Sequence, residues 1–201
     1  MKLEIGQQAP DFLMYDTDKN PFRLSEHKGT PFLLLFFPFA FTSTCTKELC
    51  NTRDDISFYN NINAKVLGIS VDAPYSLKEY RNQQNLNFPL LSDFNKTVSE
   101  TYGCLQDRWG MELKGVSKRS AFIIDGEGII RYIEILEDAG KIPDFDAIKK
   151  VLTDIVGVNR ESGKCCLIRS ASFRDDNLIT HNSLLIFVNR QSSFVNPQST
   201  P

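Results

Sequence analysis

The 201-residue chain predicts one α/β domain with a central mixed sheet flanked by helices. Two patterns indicate this class. Apolar runs of strand length alternate with stretches of helical spacing, which is typical of parallel strands covered on both faces. Further along, two apolar runs flank Gly126-Glu-Gly128 with the spacing of an antiparallel hairpin. The sheet should therefore contain both parallel and antiparallel strands.

The N-terminal thirty residues predict an entry segment and a short hairpin. The hairpin turn is expected at 16–20, where Asp and Asn residues cluster. A buried strand follows at Phe32–Phe37, which is apolar throughout. Pro38 should end this strand, because proline has no N–H group to donate to a ladder.

A helix is predicted directly after this strand, capped by Ser43 or Thr44 and ending at Asn60 or Asn61. Cys45 falls in its first turn. There the unpaired backbone N–H groups and the positive end of the helix dipole favour a thiolate. This is a position for a nucleophile, although a cysteine beside an apolar strand is more often a small buried hydrophobe.

The remaining elements continue the alternation of strands and helices. In order, they are a strand at Ala64–Asp72, a helix from Pro74, a strand at Phe88–Asp93, a helix at Lys96–Tyr102 stopped by Gly103, hairpin strands at Ala121–Asp125 and Ile129–Ile135, and a helix at Asp144–Val156 ended by Gly157. A βαβ unit followed by a β-hairpin and a helix is the order that a thioredoxin-like fold requires.

The charge and hydropathy of the chain narrow its partners and location. A formal net charge of −2 and a pI near 5.7 give no electrostatic reason to expect nucleic acid or an anionic membrane as a partner. The first residues lack the apolar core of a signal peptide, and no later apolar run approaches the roughly 20 residues of a spanning helix. We therefore expect a cytoplasmic protein.

The cysteines indicate redox chemistry rather than a disulfide framework. There are five, an odd number without paired spacing, at Cys45, Cys50, Cys104, Cys165 and Cys166. The two histidines, His27 and His181, lie far from any cysteine pair. We therefore expect no metal site and no other cofactor.

The sequence after residue 157 differs from the rest. Residues 3–157 are predicted to form the domain, whereas 158–201 are polar and aperiodic apart from Leu184–Val188. We expect a largely disordered extension that holds at most one short strand or helix. Its adjacent cysteines, Cys165 and Cys166, cannot easily bridge each other. No catalytic role is predicted for this extension.

A cation that could assist Cys45 is expected just before or near the hairpin. Arg119, Lys118 and Arg108 are all candidates, and the residues alone do not choose between them. Each could equally be a solvated surface charge, which is the usual fate of such side chains.

The segment around Cys45 resembles the active-site signature of the peroxiredoxins. It reads FFPFAFTSTCTKELC over residues 36–50, and the N-terminal GQQAPDF at 6–12 resembles that family as well. The resemblance covers residues 3–157 and implies a thioredoxin-like fold. It also implies that Cys45 reduces hydrogen peroxide and organic hydroperoxides through a sulfenic acid, without a metal.

The resemblance also assigns roles to neighbouring residues. The family pattern has an arginine just ahead of Phe-Ile-Ile-Asp, which selects Arg119. With Thr42 and the amide of Cys45, this arginine would position the peroxide and stabilise the developing charge. Pro38 would limit water and over-oxidation. Glu48, one helical turn after Cys45, would keep the arginine oriented, although it could also be a solvated helix charge.

Two branches of the family are mixed in this segment. Cys45-Thr-Lys-Glu-Leu-Cys50 resembles the bacterioferritin-comigratory (Q-type) branch, in which the second cysteine resolves the sulfenic acid. The preceding FFPFAFT resembles the alkyl hydroperoxide reductase E branch, which often depends on one cysteine. The reductant would be thioredoxin, glutaredoxin or a small thiol, and the protein a monomer or homodimer.

Two other functions use the same fold. A thiol–disulfide exchange protein should carry C-x-x-C at the strand–helix junction, where this chain has C-x(4)-C. A non-catalytic holdase would be favoured only if Cys45 proved unreactive.

Overall fold

The apolar run before Cys45 forms the central strand of a mixed sheet. In the computed structural model, which describes residues 3–164 and side chains as far as residue 157, this strand is Phe32–Phe36. All five of its residues are buried, because the strand has neighbours on both edges and helices or loops on both faces. It pairs parallel with Lys65–Ser70 and antiparallel with Ser120–Ile124.

The described residues contain nine strands. In chain order they are β1 Leu13–Asp16, β2 Pro21–Arg23, β3 Phe32–Phe36, β4 Lys65–Ser70, β5 Leu90–Ser92, β6 Leu105–Gln106, β7 Val116–Ser117, β8 Ser120–Ile124 and β9 Ile130–Ile135. Seven form one sheet in the order β2-β1-β5-β4-β3-β8-β9, and β6 pairs with β7 separately. Both predicted hairpins are present, since β1–β2 and β8–β9 are antiparallel.

Five α-helices accompany these strands in the described part of the chain. They are α1 Ser43–Asp54, α2 Ile56–Asn61, α3 Pro74–Gln83, α4 Thr97–Thr101 and α5 Phe145–Lys164. Two residues lie at helix ends as the sequence predicts. Pro74 opens α3, and Gly103 follows α4 with a positive φ of 68°.

Three helix boundaries differ from the prediction. The helix that holds Cys45 is capped by Thr42, in an extended conformation, rather than by Ser43 or Thr44. It is also interrupted at Asp55, so the predicted single helix is the pair α1 and α2. Gly157 does not end α5, which continues to Lys164, because a glycine in a helix interior costs only about 1 kcal/mol.

The core has two layers, one on each face of the sheet. Alternate residues of β3 divide between them, as the two-residue period of a strand requires. Leu33 and Leu35 pack with Cys45 and residues of α1, α2, α3 and α5, whereas Phe32, Leu34 and Phe36 pack with α4 and the N-terminal segment. Cys45 therefore lies inside the first layer, where β3 leads into α1.

Candidate active site

Cys45 is held at the carboxyl end of the central strand. It is the third residue of α1, and its side chain is only 1% exposed. The amides of a first helical turn have no carbonyl partner inside the helix, so they remain available to a ligand. The strand–helix junction and the position of Cys45 in the first turn are as predicted.

The structure selects Arg119 from the three candidate cations. The Arg119 guanidinium is 1% exposed, and its Nη2 lies 3.3 Å from Cys45 Sγ. Lys118 instead pairs with Glu137 at the surface, at 2.7 Å, and Arg108 is exposed. A buried positive charge in contact with the sulfur stabilises a thiolate and favours anionic oxygens.

Two acceptors fix the orientation of this guanidinium. Arg119 Nη1 donates to the carboxylate of Glu48, and Arg119 Nη2 also donates to the carbonyl oxygen of Ala139 at 3.0 Å. Glu48 belongs to α1 and Ala139 to the loop between β9 and α5. The guanidinium is therefore braced from two elements while it faces Cys45.

Glu48 is a buried carboxyl group rather than a solvated helix charge. Its side chain is fully buried, and burial raises its pKa to about 7, although the positive charge and hydrogen bond of Arg119 act in the opposite direction. Glu48 Oε1 has no hydrogen-bond partner among the described residues. A carboxyl group whose pKa is near neutral therefore contacts the same guanidinium that contacts Cys45.

A small cavity of about 230 Å³ gives access to Cys45. It is lined by Pro38, Thr42, Ser43, Thr44, Cys45, Trp109, Arg119, Ala139 and Gly140. Thr42 Oγ1 donates to the carbonyl of Phe39 at 3.1 Å, which leaves its lone pairs free to accept a hydrogen bond from a ligand. A hydroperoxide could therefore reach the sulfur between Pro38, Thr42 and Arg119.

Cys50 does not lie beside Cys45 in this structure. Its sulfur is half-buried and faces the side-chain oxygen of Gln84, at 3.7 Å, at the end of α3. Cys45, Cys50 and Cys104 are all free thiols. Cys45 and Cys50 therefore both belong to α1 but are not joined by a disulfide, and the Cys50 sulfur contacts Gln84.

Sequence reasoning did not identify Ala139 as part of the site. Its contribution is a backbone carbonyl, which every residue possesses, so no side-chain pattern could have pointed to it. Trp109, the sole tryptophan of the chain, was likewise not predicted to belong to the site, and the structure places it among the residues that line the cavity.

The predictions about metal ligands and membrane-spanning helices concern the described residues, whereas those about the C-terminal extension fall outside them. In the described part of the chain, no group of three or more His, Cys, Asp and Glu side chains could hold a metal ion. No helix there is long and apolar enough to cross a membrane. Cys165, Cys166 and Leu184–Val188 lie outside the described residues.

Comparison with known proteins shows which proteins this chain resembles. The chain is 39% identical over 132 residues to the peroxiredoxin bcp of Coxiella burnetii, covering 65% of this chain and 87% of that protein. It is 36% identical over 145 residues to alkyl hydroperoxide reductase E of Mycobacterium tuberculosis, covering 71% and 91%. The crystal structure of peroxidoxin BcpB from M. tuberculosis matches with a TM-score of 0.67 at 29% identity, covering 76% and 98%.

The thioredoxin-like fold and a cysteine–arginine site at the start of α1 define a thiol-dependent peroxidase. The family model described as AhpC/TSA matches residues 5–133, and the chain belongs to this family. The predicted fold class and enzyme class are confirmed. The protein reduces hydroperoxides at the expense of a thiol.

Proposed function

We propose that Cys45 is the peroxidatic nucleophile. Its thiolate attacks the terminal oxygen of hydrogen peroxide or an organic hydroperoxide. The S–O bond forms as the O–O bond breaks, and the leaving oxygen takes a proton and departs as water or an alcohol. The observation that carries this assignment is the contact of 3.3 Å between Arg119 Nη2 and Cys45 Sγ, both buried at the base of the cavity.

Arg119 and Thr42 would hold the peroxide in line for this attack. The guanidinium can donate to both peroxide oxygens, so it stabilises the charge that builds on the leaving oxygen. Thr42 Oγ1, which donates its own hydrogen bond to the Phe39 carbonyl, would accept a hydrogen bond from the substrate hydroxyl. The amide of Cys45 adds a donor, and Pro38 covers one side of the sulfur and limits water.

Glu48 would act on the reaction through Arg119. Glu48 accepts a hydrogen bond from Nη1 and the Ala139 carbonyl accepts one from Nη2, and together they hold the guanidinium in one orientation. Fixing that orientation before the substrate arrives avoids reorganisation during the reaction. Glu48 is a positioning residue in this proposal.

Cys50 would resolve the Cys45 sulfenic acid within the same chain. Residues five apart on an ideal helix have Cα atoms roughly 8–9 Å apart, whereas a disulfide tolerates at most about 7 Å. The first turns of α1 must therefore unwind before the sulfurs meet. Thioredoxin, glutaredoxin or a small thiol would then reduce the disulfide.

Mass spectrometry of peroxide-treated protein tests this reaction sequence. One equivalent of peroxide should yield a Cys45–Cys50 disulfide, and far-ultraviolet circular dichroism should show a loss of helix. A Cys50→Ser variant should instead accumulate sulfenic acid at Cys45. A stable sulfenic acid in the unchanged protein, with Cys50 still reduced, would mean that an external thiol resolves Cys45.

The boundaries and assembly of the protein also belong to this proposal. We place the peroxidase in residues 3–157 and assign no catalytic role to 158–201, because every residue of the proposed site lies between Pro38 and Gly140. We further propose a cytoplasmic monomer or homodimer, since a free-thiol enzyme needs a reducing compartment.

A further inference from the structure

Tyr80 contacts the chain on both sides of Cys45. It belongs to α3, and its side chain is completely buried. Its ring meets Phe41 edge-on with centroids 4.9 Å apart, and its hydroxyl donates to Thr46 Oγ1 at 3.1 Å. Phe41 lies just before α1 and Thr46 just after Cys45, so one side chain joins both ends of the turn that carries the nucleophile.

The burial of Tyr80 keeps its hydroxyl a donor at neutral pH. Removal from water raises the pKa of Tyr80 to about 12, although the hydrogen bond with Thr46 acts in the opposite direction. The hydroxyl therefore remains protonated throughout the range in which the enzyme works.

Phe41 shows that this turn needs an external contact. Its φ is +65°, in the left-handed region that is unfavourable for a residue with a bulky side chain. Such a conformation persists only where the surroundings fix it. The Phe41 ring is half-exposed, and Tyr80 is the buried aromatic residue against which it packs.

The later part of α1 is attached by separate hydrogen bonds to the segment that follows α3. Arg53 Nη1 donates to the carbonyl of Gln84 at 2.6 Å, and Asn87 Nδ2 donates to the carbonyl of Arg53 at 3.1 Å. These contacts hold the C-terminal part of α1 in place. Opening of the helix would therefore be confined to its first turns, where the bond between Tyr80 and Thr46 lies.

We propose that Tyr80 is a positioning residue whose hydrogen bond to Thr46 keeps the first turn of α1 closed and limits the rate at which Cys50 reaches the Cys45 sulfenic acid. This inference rests on the proposed role of Cys50. In the step concerned, the Cys50 thiol loses its proton and its sulfur attacks the Cys45 sulfur, so that the S–S bond forms as the S–O bond breaks, and the departing hydroxide takes up that proton and leaves as water. The oxidising equivalent comes from the peroxide already consumed.

The hydrogen bond also shifts the balance between resolution and over-oxidation. While the turn is closed, the sulfenic acid stays in the cavity, where a second peroxide converts it to sulfinic acid. When the turn opens, Cys50 traps it as a disulfide. A stronger bond between Tyr80 and Thr46 thus favours over-oxidation at high peroxide concentration.

The test compares Tyr80→Phe with Tyr59→Phe. Both tyrosines are completely buried in the same core layer, but the Tyr59 hydroxyl has no hydrogen-bond partner among the residues that the structure describes. The Tyr59 variant therefore controls for the loss of a buried hydroxyl. Hydrogen exchange at the Thr46 amide, which donates to the Thr42 carbonyl at 2.9 Å, reports opening of the turn in the reduced protein.

We expect Tyr80→Phe to speed this exchange and the formation of the Cys45–Cys50 disulfide by about 2- to 10-fold, the usual range for one neutral hydrogen bond. It should also raise the peroxide concentration needed for over-oxidation. Tyr59→Phe should change neither the exchange rate, nor the rate of disulfide formation, nor the peroxide concentration needed for over-oxidation. Thr46→Val should act like Tyr80→Phe and add little to it, because both variants remove the same bond.

Unchanged exchange at the Thr46 amide in Tyr80→Phe would overturn this proposal, and so would fully additive effects of Tyr80→Phe and Thr46→Val. The proposal would also be wrong if Tyr80→Phe sped exchange at the Thr46 amide but left the rate of disulfide formation unchanged. If the protein without substitutions formed no Cys45–Cys50 disulfide, the proposed resolving role of Cys50 would be wrong. The proposal that Tyr80 limits the access of Cys50 to Cys45 would then be wrong as well. The exchange measurement, made before any peroxide is added, distinguishes failure of the Tyr80 contact from failure of the resolving step.

Discussion

Cys45 and Cys104 are both buried thiols, but their surroundings differ. Cys45 is 1% exposed and Cys104 is 0% exposed. Burial raises the pKa of Cys104 to about 12, and hydrogen bonding with Ser120 and Ser99 only partly offsets this effect. Cys45 instead has the Arg119 guanidinium at 3.3 Å and lines a cavity. Burial by itself therefore produces an inert thiol, whereas a reactive thiol also needs a cation and an entry path.

The surroundings of Cys45 and Cys104 include two residues that are adjacent in the sequence, Arg119 and Ser120. Successive side chains of a strand point to opposite faces of the sheet. The residues of β8 follow this rule, since Ala121 and Ile123 share the core layer of Cys45, and Phe122 shares that of Cys104. Arg119, just before β8, contacts Cys45, whereas Ser120, the first residue of β8, lies on the face of Cys104. A shift of one residue in strand register would exchange these partners.

The same substitution at the two cysteines should have opposite outcomes. Cys45→Ser should abolish peroxide consumption, because a serine hydroxyl is not ionised at neutral pH and is a far weaker nucleophile. Cys104→Ser should keep turnover within about twofold, even if the new buried hydroxyl lowers stability by about 1 kcal/mol. Peroxide consumption in a thiol-coupled assay measures both. Turnover by Cys45→Ser at the unchanged rate would show that the nucleophile has been misassigned.

Removal of the cation should give the next largest effect. Arg119→Met keeps much of the side-chain volume but removes the charge, and we expect the second-order rate constant for peroxide to fall about 10²- to 10³-fold, as for loss of one preorganised donor. Lys118→Met is the matched control, since Lys118 pairs with Glu137 at the surface. Stopped-flow fluorescence of Trp109, which lines the cavity, should report both variants. Similar losses in the two would mean that net charge, rather than contact with Cys45, matters.

The position of Cys45 was predictable from the sequence because it depends on local signals. An apolar run, a proline and a change of period predict the end of β3 and the start of α1, and the structure places these boundaries at Phe36 and Ser43, within one or two residues of the predicted positions. The side-chain contact of Arg119 was not predictable from local pattern, since it joins residues 74 positions apart. Resemblance to a family supplied that pairing, and in the structure Arg119 Nη2 lies 3.3 Å from Cys45 Sγ.

Other details depend on tertiary packing and were missed. The break at Asp55 separates α1 from α2, although the side chains on either side have ordinary helical spacing. The continuation of α5 past Gly157 shows the opposite case, in which a residue that usually ends a helix lies inside one. The contact of Cys50 with Gln84 required the packing of α1 against α3, which no sequence pattern specified.

Thr42→Val should have a smaller effect than Arg119→Met. Valine has almost the shape of threonine but cannot accept a hydrogen bond, so the substrate hydroxyl would lose one neutral partner rather than a charged one. Because the substrate hydroxyl would also be left buried without an acceptor, we expect the rate constant for peroxide to fall about 10- to 100-fold. Ser43→Ala is the control, because Ser43 lines the same cavity and has no assigned role. Equal losses in both variants would argue against a specific contact with Thr42.

Glu48→Gln should change how the free energy of unfolding depends on pH, whereas its effect on the rate constant for peroxide at neutral pH should be small. Glutamine can still accept a hydrogen bond from Arg119, so we expect the rate to fall less than about tenfold. In the unfolded chain a glutamate loses its proton near pH 4.5, whereas burial raises the pKa of Glu48 in the folded protein to about 7, with a smaller contribution from the charge of Glu134. Between these values the folded state binds more protons than the unfolded state.

The folded protein should therefore lose stability, relative to Glu48→Gln, as the pH rises from about 4.5 to about 7, and the difference should level off above that. The change should be on the order of 1 kcal/mol for each pH unit in this window. Urea denaturation of both proteins at pH 5, 6, 7 and 8 measures it. A difference that grew in favour of Glu48 with rising pH would instead mean that the ion pair with Arg119 outweighs burial. The carboxylate would then be charged throughout the working range.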